Sequence, residues 1–221
     1  MEWPGEARSN LRATGHYPTH LIDVRSLGNS RRLMLRPVLP QDSEALADMV
    51  NRLSEPSRRR RFPNAALPAS ADAMRALTCV DHARHVALVV ALQEGQCEHL
   101  VADARYRIDE SDGRAELALV VDDAWQRRGV ATWALLALGR AACAAGIDRL
   151  HCDVPAENEP MLALMRHCRF RCMGDPADPG IVHVEAPPHE LMARRSPRDT
   201  KASGWIHRLL GDAGPASLSR G

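Results

Sequence analysis

The stretch Val121-Asp122-Asp123-Ala124-Trp125-Gln126-Arg127-Arg128-Gly129-Val130-Ala131 joins two opposite textures of sequence. Before it, Arg114–Val121 reads as an apolar strand. After it, a run packed with Ala and Leu from about Gly129 to Ala145 reads as the strongest helix of the chain, closing at Gly146 as a left-handed cap. A loop between a strand and a helix that opens at glycine has a definite electrostatic character. The first N–H groups of a helix lack internal partners, and the helix dipole puts partial positive charge there. Glycine lets phosphate oxygens approach the backbone, and Arg127 and Arg128 add charge. The residues alone leave two readings: a phosphate cradle, or an ordinary helix start with arginines in solvent.

On either side the periodicity keeps switching. Arg32–Pro37 predicts a first strand ending at a proline. Gln41–Leu53 and Ala71–Val80 predict helices, the first from Ala45, Leu46, Met49, Val50 and Leu53 at spacings of three and four. Val86–Leu92 and Leu100–Ile108 predict paired strands turning at Gly95, and Ser111-Asp112-Gly113 is the turn before Arg114–Val121. Arg149–Val154 is a short strand. Asn158 can cap a helix running to about His167, with Pro160 in its first turn. Phe170–Met173 and Ile181–Glu185 are closing strands. The order predicts an α/β layer architecture, a central sheet flanked by helices. The ends are polar and rich in Gly, Pro and Ser, so residues 1–29 are read as an N-terminal arm, 30–190 as the domain and 191–221 as a flexible tail, with one amphipathic turn at Trp205–Leu210.

Gln126-Arg127-Arg128-Gly129-Val130-Ala131 fits the signature Gln/Arg-x-x-Gly-x-Gly/Ala. With the Asn158-led run ending in Arg169-Phe170, the chain resembles the GNAT N-acetyltransferases over roughly residues 30–186. The resemblance implies the GNAT acyl-CoA N-acyltransferase fold: a mixed, mostly antiparallel sheet splayed at the cofactor site and flanked by helices. It implies acetyl-CoA as co-substrate and direct attack by an amine in a ternary complex. Backbone groups of Leu119 and Val121 would bond the pantetheine arm. The Gln126–Ala131 loop would hold the pyrophosphate through N–H groups of Arg127, Arg128, Gly129, Val130 and Ala131, with Thr132. Asn158 would contact the pantetheine side. Two positions depart from the family: Arg169 stands where glycine is usual, and Met165 where many members place a tyrosine that protonates the leaving thiolate. Leu33-Met34-Leu35-Arg36-Pro37-Val38-Leu39-Pro40-Gln41-Asp42 and Leu53-Ser54-Glu55-Pro56-Ser57-Arg58-Arg59-Arg60-Arg61-Phe62 are similar to the opening of bacterial protein-lysine acetyltransferase domains.

Acetyl transfer requires an amine to lose a proton, and a free lysine, with pKa about 10.4, is mostly protonated at neutral pH. Glu116 is the expected general base, a lone carboxylate in an apolar strand where partial desolvation would raise its pKa. Related lysine acetyltransferases place a glutamate on this strand. Asp122 and Asp123 read as turn residues. Arg58–Arg61 reads as a solvated helix end in preference to a phosphate clamp. His151-Cys152, His167-Cys168 and Cys172 read as core packing; no metal is expected. The acceptor stays open between a protein lysine and a small-molecule amine, as does a non-catalytic acetyl-CoA-binding role.

A net charge of +1 gives no global field for nucleic acid or anionic lipid, so neither is expected as a partner. No apolar run approaches the ~20 residues of a membrane span. The N-terminus lacks the pattern of a secretory signal, so a cytoplasmic location is expected. There the six cysteines would be reduced, mostly as small buried apolar groups.

Overall fold

Alternating small and large apolar residues build a sheet that is covered on both faces. The computed structural model describes residues 17–28, 31–62, 69–109 and 112–192. The strands are β1 (Asp23–Gly28), β2 (Arg31–Pro37), β3 (His85–Glu94), β4 (Cys97–Ile108), β5 (Ala115–Val121), β6 (Leu150–Pro155), β7 (Arg171–Gly174) and β8 (Ile181–Ala186). The helices are α1 (Ser43–Arg52), α2 (Glu55–Arg61), α3 (Ala71–Thr78), α4 (Val130–Ala144), α5 (Glu159–His167) and α6 (Pro188–Met192). The sheet order is β1-β2-β3-β4-β5-β6-β8-β7, and every pairing is antiparallel except β5 with β6.

β3 shows why two layers of helix are needed. Val86, Leu88, Val90 and Leu92 face a core with Trp133, Leu135 and Leu138 of α4, whereas Ala87, Val89 and Ala91 face a second core with Leu46, Met49 and Val50 of α1 and Met74 of α3. A parallel pair needs a long crossover, and α4 supplies it between β5 and β6. The helix then stops where Gly146 adopts a left-handed φ of 69°, as its position in the sequence predicts. The expected sequence of strands and helices is found, with boundaries shifted by at most three residues.

Three elements differ from expectation. The sheet begins earlier: β1 lies inside the stretch read as an arm and pairs with β2, while the Trp133 indole Nε1 donates to Asp23 Oδ2 at 2.8 Å and Arg25 stacks on the same ring. Its polar residues and its exposed Ile22 and Val24 flank carry no strand signal, because an edge strand buries little. The run Glu55–Arg61 forms its own helix, capped by the Ser54 side chain. α6 closes the last strand onto α4 with Leu191 fully buried. The amphipathic turn at Trp205–Leu210 and the tail from 193 onward lie outside the described residues.

The Arg169 departure is absorbed by the turn that ends α5. Phe170 N donates to Met165 O at 2.9 Å and Arg169 N to Arg166 O at 3.0 Å, a left-handed cap that puts Arg169 at φ 67°. A side chain in that conformation costs about 1–2 kcal/mol. Arg169→Gly should therefore raise stability by about 1 kcal/mol, less the greater freedom of glycine in the unfolded chain, as measured by urea denaturation.

Candidate active site

β5 and β6 are joined only at Ala115 with Leu150 and Glu116 with His151, after which they part. On its other side β5 stays paired with β4 as far as Val121. Backbone groups along a strand alternate in direction, and Ala115 N donates to Arg149 O on the β6 side. By that alternation Leu117, Leu119 and Val121 also direct N–H and C=O groups toward the gap. Such an edge is a template for an extended ligand.

The mouth of the gap lies at the C-terminal ends of both strands. On the β5 side stands the loop to α4. Gly129 caps α4 at φ 74°, a conformation glycine adopts without strain, and Arg127 is also left-handed at φ 58°. The first intrahelical bond runs from Trp133 N to Gly129 O at 3.0 Å, so the N–H groups of Val130, Ala131 and Thr132 precede the ladder and face outward from the helix start. Arg127 and Arg128 are exposed, with the Arg128 guanidinium 5.1 Å above the Trp125 ring. On the β6 side, Asn158 Oδ1 accepts from Met161 N at 3.4 Å and caps α5. Leu119 and Val121 thus lie along the β5 edge, Gln126–Thr132 follow its C-terminal end, and Asn158 follows the C-terminal end of β6. An anionic head on the helix start and an amide-bearing arm along the β5 edge suit this donor set, the profile of an acyl-CoA.

Glu116 sits where β5 and β6 part. Its side chain shares a face with Val120 and the α1–α3 core, opposite the face of Leu117 and Val121. It is 62% exposed, with Arg107 Nη2 4.0 Å away. The expected partial desolvation is therefore not found: α2 packs against β5, yet the Glu116 side chain stays open to solvent.

Beside Glu116 the same face holds an ionic cluster that the sequence reading missed. Asp103 is fully buried and accepts from Arg105 Nε at 3.0 Å and Nη2 at 2.5 Å, and from Arg61 Nη2 at 3.4 Å. Arg105 Nη1 also donates to Leu77 O at 2.9 Å and lies 3.5 Å from His85 Nε2. Burial raises the Asp103 carboxyl, but Arg105 and Arg61 outweigh it and the net is below the usual carboxylate range. Burial, then the charge of Arg105, hold His85 down at about 4. The visible signal was two charges alternating with alanines in an apolar strand, Ala102-Asp103-Ala104-Arg105; their partner Arg61 is distant in sequence. The four-arginine run is thereby divided. Arg59 and Arg60 are solvated, Arg59 pairing with Glu55, whereas Arg61 is largely buried against Asp103 and Phe62, against the expectation of a wholly solvated end.

Asp122 acts as a turn residue, accepting from Ala124 N at 3.0 Å. Asp123 does more and bonds across to Ser54 and Ser57. The cysteine expectation needs correcting: Cys79, Cys97 and Cys143 are exposed, and only Cys152 and Cys168 are buried. Burial, with Asp153 and Glu116 nearby, pushes the Cys152 thiol up to about 12, which opposes a thiolate nucleophile there. Met165 is fully buried in the core. Among the described residues no group of three His, Cys, Asp or Glu side chains is placed to hold a metal, and no helix is long and apolar enough to cross a membrane.

Comparison with known proteins points to one family. The model of the acetyltransferase (GNAT) domain family matches residues 32–171. Acetyltransferase Pat of Mycolicibacterium smegmatis is 32% identical over 157 residues, covering 70% of this chain and 46% of that protein. The chain thus spans about half the length of that relative. Acetyltransferase PA5475 of Pseudomonas aeruginosa is 27% identical over 155 residues, 70% of this chain and 83% of its own. The GNAT domain of S. lividans PAT superposes with a TM-score of 0.66 at 27% identity, covering 77% of this chain and 99% of that domain.

The buried cluster makes a pH prediction. As pH falls below 6.5 the unfolded chain protonates His85, while the folded chain resists until about 4. The associated stability is complete above 6.5 and is lost progressively as pH falls toward 4. His85→Gln should flatten that loss in urea denaturation series, relative to the unaltered protein.

Proposed function

The chain belongs to the GNAT acetyltransferase family, and from that premise we propose that it transfers the acetyl group of acetyl-CoA to the side-chain amine of a protein lysine. The observation that carries this reading is the parting of β5 from β6 beyond Glu116, in a gap whose mouth has a left-handed glycine at the start of α4. Bound acetyl-CoA supplies an activated thioester. The N–H groups of Arg127–Ala131, with Thr132, hold its pyrophosphate, and Gln126 opens that loop. The β5 edge at Leu119 and Val121 aligns the arm, and Asn158 bounds it from the β6 side. Holding both reactants in one gap is worth about 7–11 kcal/mol of barrier when alignment is good.

Glu116 takes the proton from the incoming ammonium, directly or through one water. Its exposure suits an acceptor that arrives from solvent, and its position at the apex puts it on the face opposite α4, where an amine can approach. Met165 offers no proton to the leaving thiolate from inside the core. The protein-lysine acceptor is supported by the likeness of Leu33–Asp42 and Leu53–Phe62 to protein-lysine acetyltransferase domains. The first segment leads into α1 and the second contains α2, which packs against β5.

Calorimetric titration should show acetyl-CoA binding at least ~100-fold tighter than S-acetylpantetheine, which lacks the pyrophosphate, a gap of about 2.7 kcal/mol. Equal affinities would remove the phosphate role of Gln126–Ala131. Glu116→Gln should leave acetyl-CoA affinity unchanged and lower turnover about 10²–10⁴-fold on a lysine-peptide library read by mass spectrometry. Unaltered turnover takes Glu116 out of the mechanism, and acetylation of free amines alone would replace the protein acceptor with a small molecule.

A further inference from the structure

α2 sends no apolar side chain into either core, and of its side chains Arg61 is the one largely buried. It has seven residues, and isolated helices shorter than about 12–15 residues are marginal in water, so its place is set by what holds its ends. The C-terminal end is held by Arg61 on Asp103, on the face of the sheet that carries Glu116. The N-terminal end is held by Asp123. Asp123 Oδ2 accepts from Ser54 N at 2.8 Å, and Oδ1 accepts from Ser54 Oγ at 2.9 Å and Ser57 Oγ at 2.6 Å. Burial raises this carboxyl, but the bonds from Ser57 and Ser54 outweigh that and favour its charged form.

Asp123 also belongs to the other side of the cleft. Gln126 Nε2 donates to Asp123 Oδ1 at 3.2 Å, to Ser57 Oγ at 3.3 Å and to Val121 O at 3.2 Å. Val121 and Gln126 are the backbone edge and the loop start assigned above to the cofactor. Next to them Arg52, at the end of α1, bonds Leu100 O at 2.9 Å and Asp122 Oδ2 at 3.4 Å. The α1–α2 junction is thus tied to the cofactor loop through polar contacts.

We propose that Asp123 is a positioning residue that couples acetyl-CoA binding to the placement of α2, so that loading the cofactor firms the wall of the acceptor cleft. This rests on the acetyl-CoA reading above. A ligand that engages the Val121 edge and the Gln126–Ala131 backbone acts on the same side-chain amide that bridges to Asp123 and Ser57. Fixing that amide fixes the carboxylate, and the carboxylate fixes the first turn of α2. The rest of the helix then brings Arg61 to Asp103. An amine approaching Glu116 meets an ordered wall only after the acetyl donor is in place.

Amide hydrogen exchange with acetyl-CoA as the probe tests this on the full chain. Acetyl-CoA should slow exchange across Glu55–Arg61 by about tenfold or more in the unaltered protein. In Asp123→Ala that slowing should be lost while acetyl-CoA still binds and the β3–β4 amides keep their protection. Ser57→Ala, which removes one bond from the α2 side, should lose part of it, and it serves if Asp123→Ala folds poorly. If acetyl-CoA binds and α2 exchange is unchanged, or if the slowing persists in both variants, the coupling is overturned and the cofactor site stands. If acetyl-CoA does not bind the unaltered protein, both fail.

Discussion

Two parallel strands that separate after two paired residues leave backbone donors and acceptors without a neighbour strand. Buried backbone groups left unpaired are costly, and nearly all find partners. The rest of this structure is arranged so that the gap stays open without collapsing. β4 holds β5 from one side, β8 holds β6 from the other, and α4 and α5 cover the face behind it. The crossover that makes β5 and β6 parallel also delivers the start of α4 to the mouth of the gap. One topological step therefore provides both an extended edge and an anion-binding helix end.

The front of the gap is built from different materials. Behind the sheet, α4 and α5 are seated by apolar burial. In front, α1 is likewise seated by apolar burial, whereas α2 beyond Leu53 is held largely by charge and hydrogen bonds. Arg36 makes a bidentate pair with Asp42 and a further bond to Glu98, fixing the turn between β2 and α1. Ser54 and Ser57 bond to Asp123, and Arg61 to Asp103. The residues that carry the likeness to protein-lysine acetyltransferase openings are thus largely the residues that dock this wall. Their pattern in the sequence reflects a structural need before any contact with substrate.

What could be read from sequence follows the range of the forces involved. The β5–loop–α4 unit was legible because its signals are local: apolar alternation, an unmistakable glycine, an Ala- and Leu-rich helix. β1 was not legible, since an edge strand with Asp23, Arg25 and Ser26 gains its order from pairing with β2 and not from its own pattern. The exposure of Glu116 was misread for a related reason. Whether a carboxylate on an apolar strand is dry depends on what lies above it, and nothing in Ala115–Val121 records that α2, packed on β5, leaves Glu116 open to solvent. The cluster of Arg61, Asp103, Arg105 and His85 was half legible. The alternating charges of β4 announced a polar patch on a core face, but the closing partner comes from more than forty residues away, where only the fold brings it near.

A helix that sends no apolar side chain into a core, and is anchored at its end by the Arg61–Asp103 ion pair, has an uncommon freedom. When α2 lifts away it uncovers a row of arginines and serines, groups that water solvates well, and little that another molecule would adhere to. Most segments that detach from a protein surface expose apolar area and so invite aggregation. This one can open and close many times at small risk to solubility. Such an opening also exposes little new surface, so urea should barely promote it even where the same denaturant unfolds the whole chain.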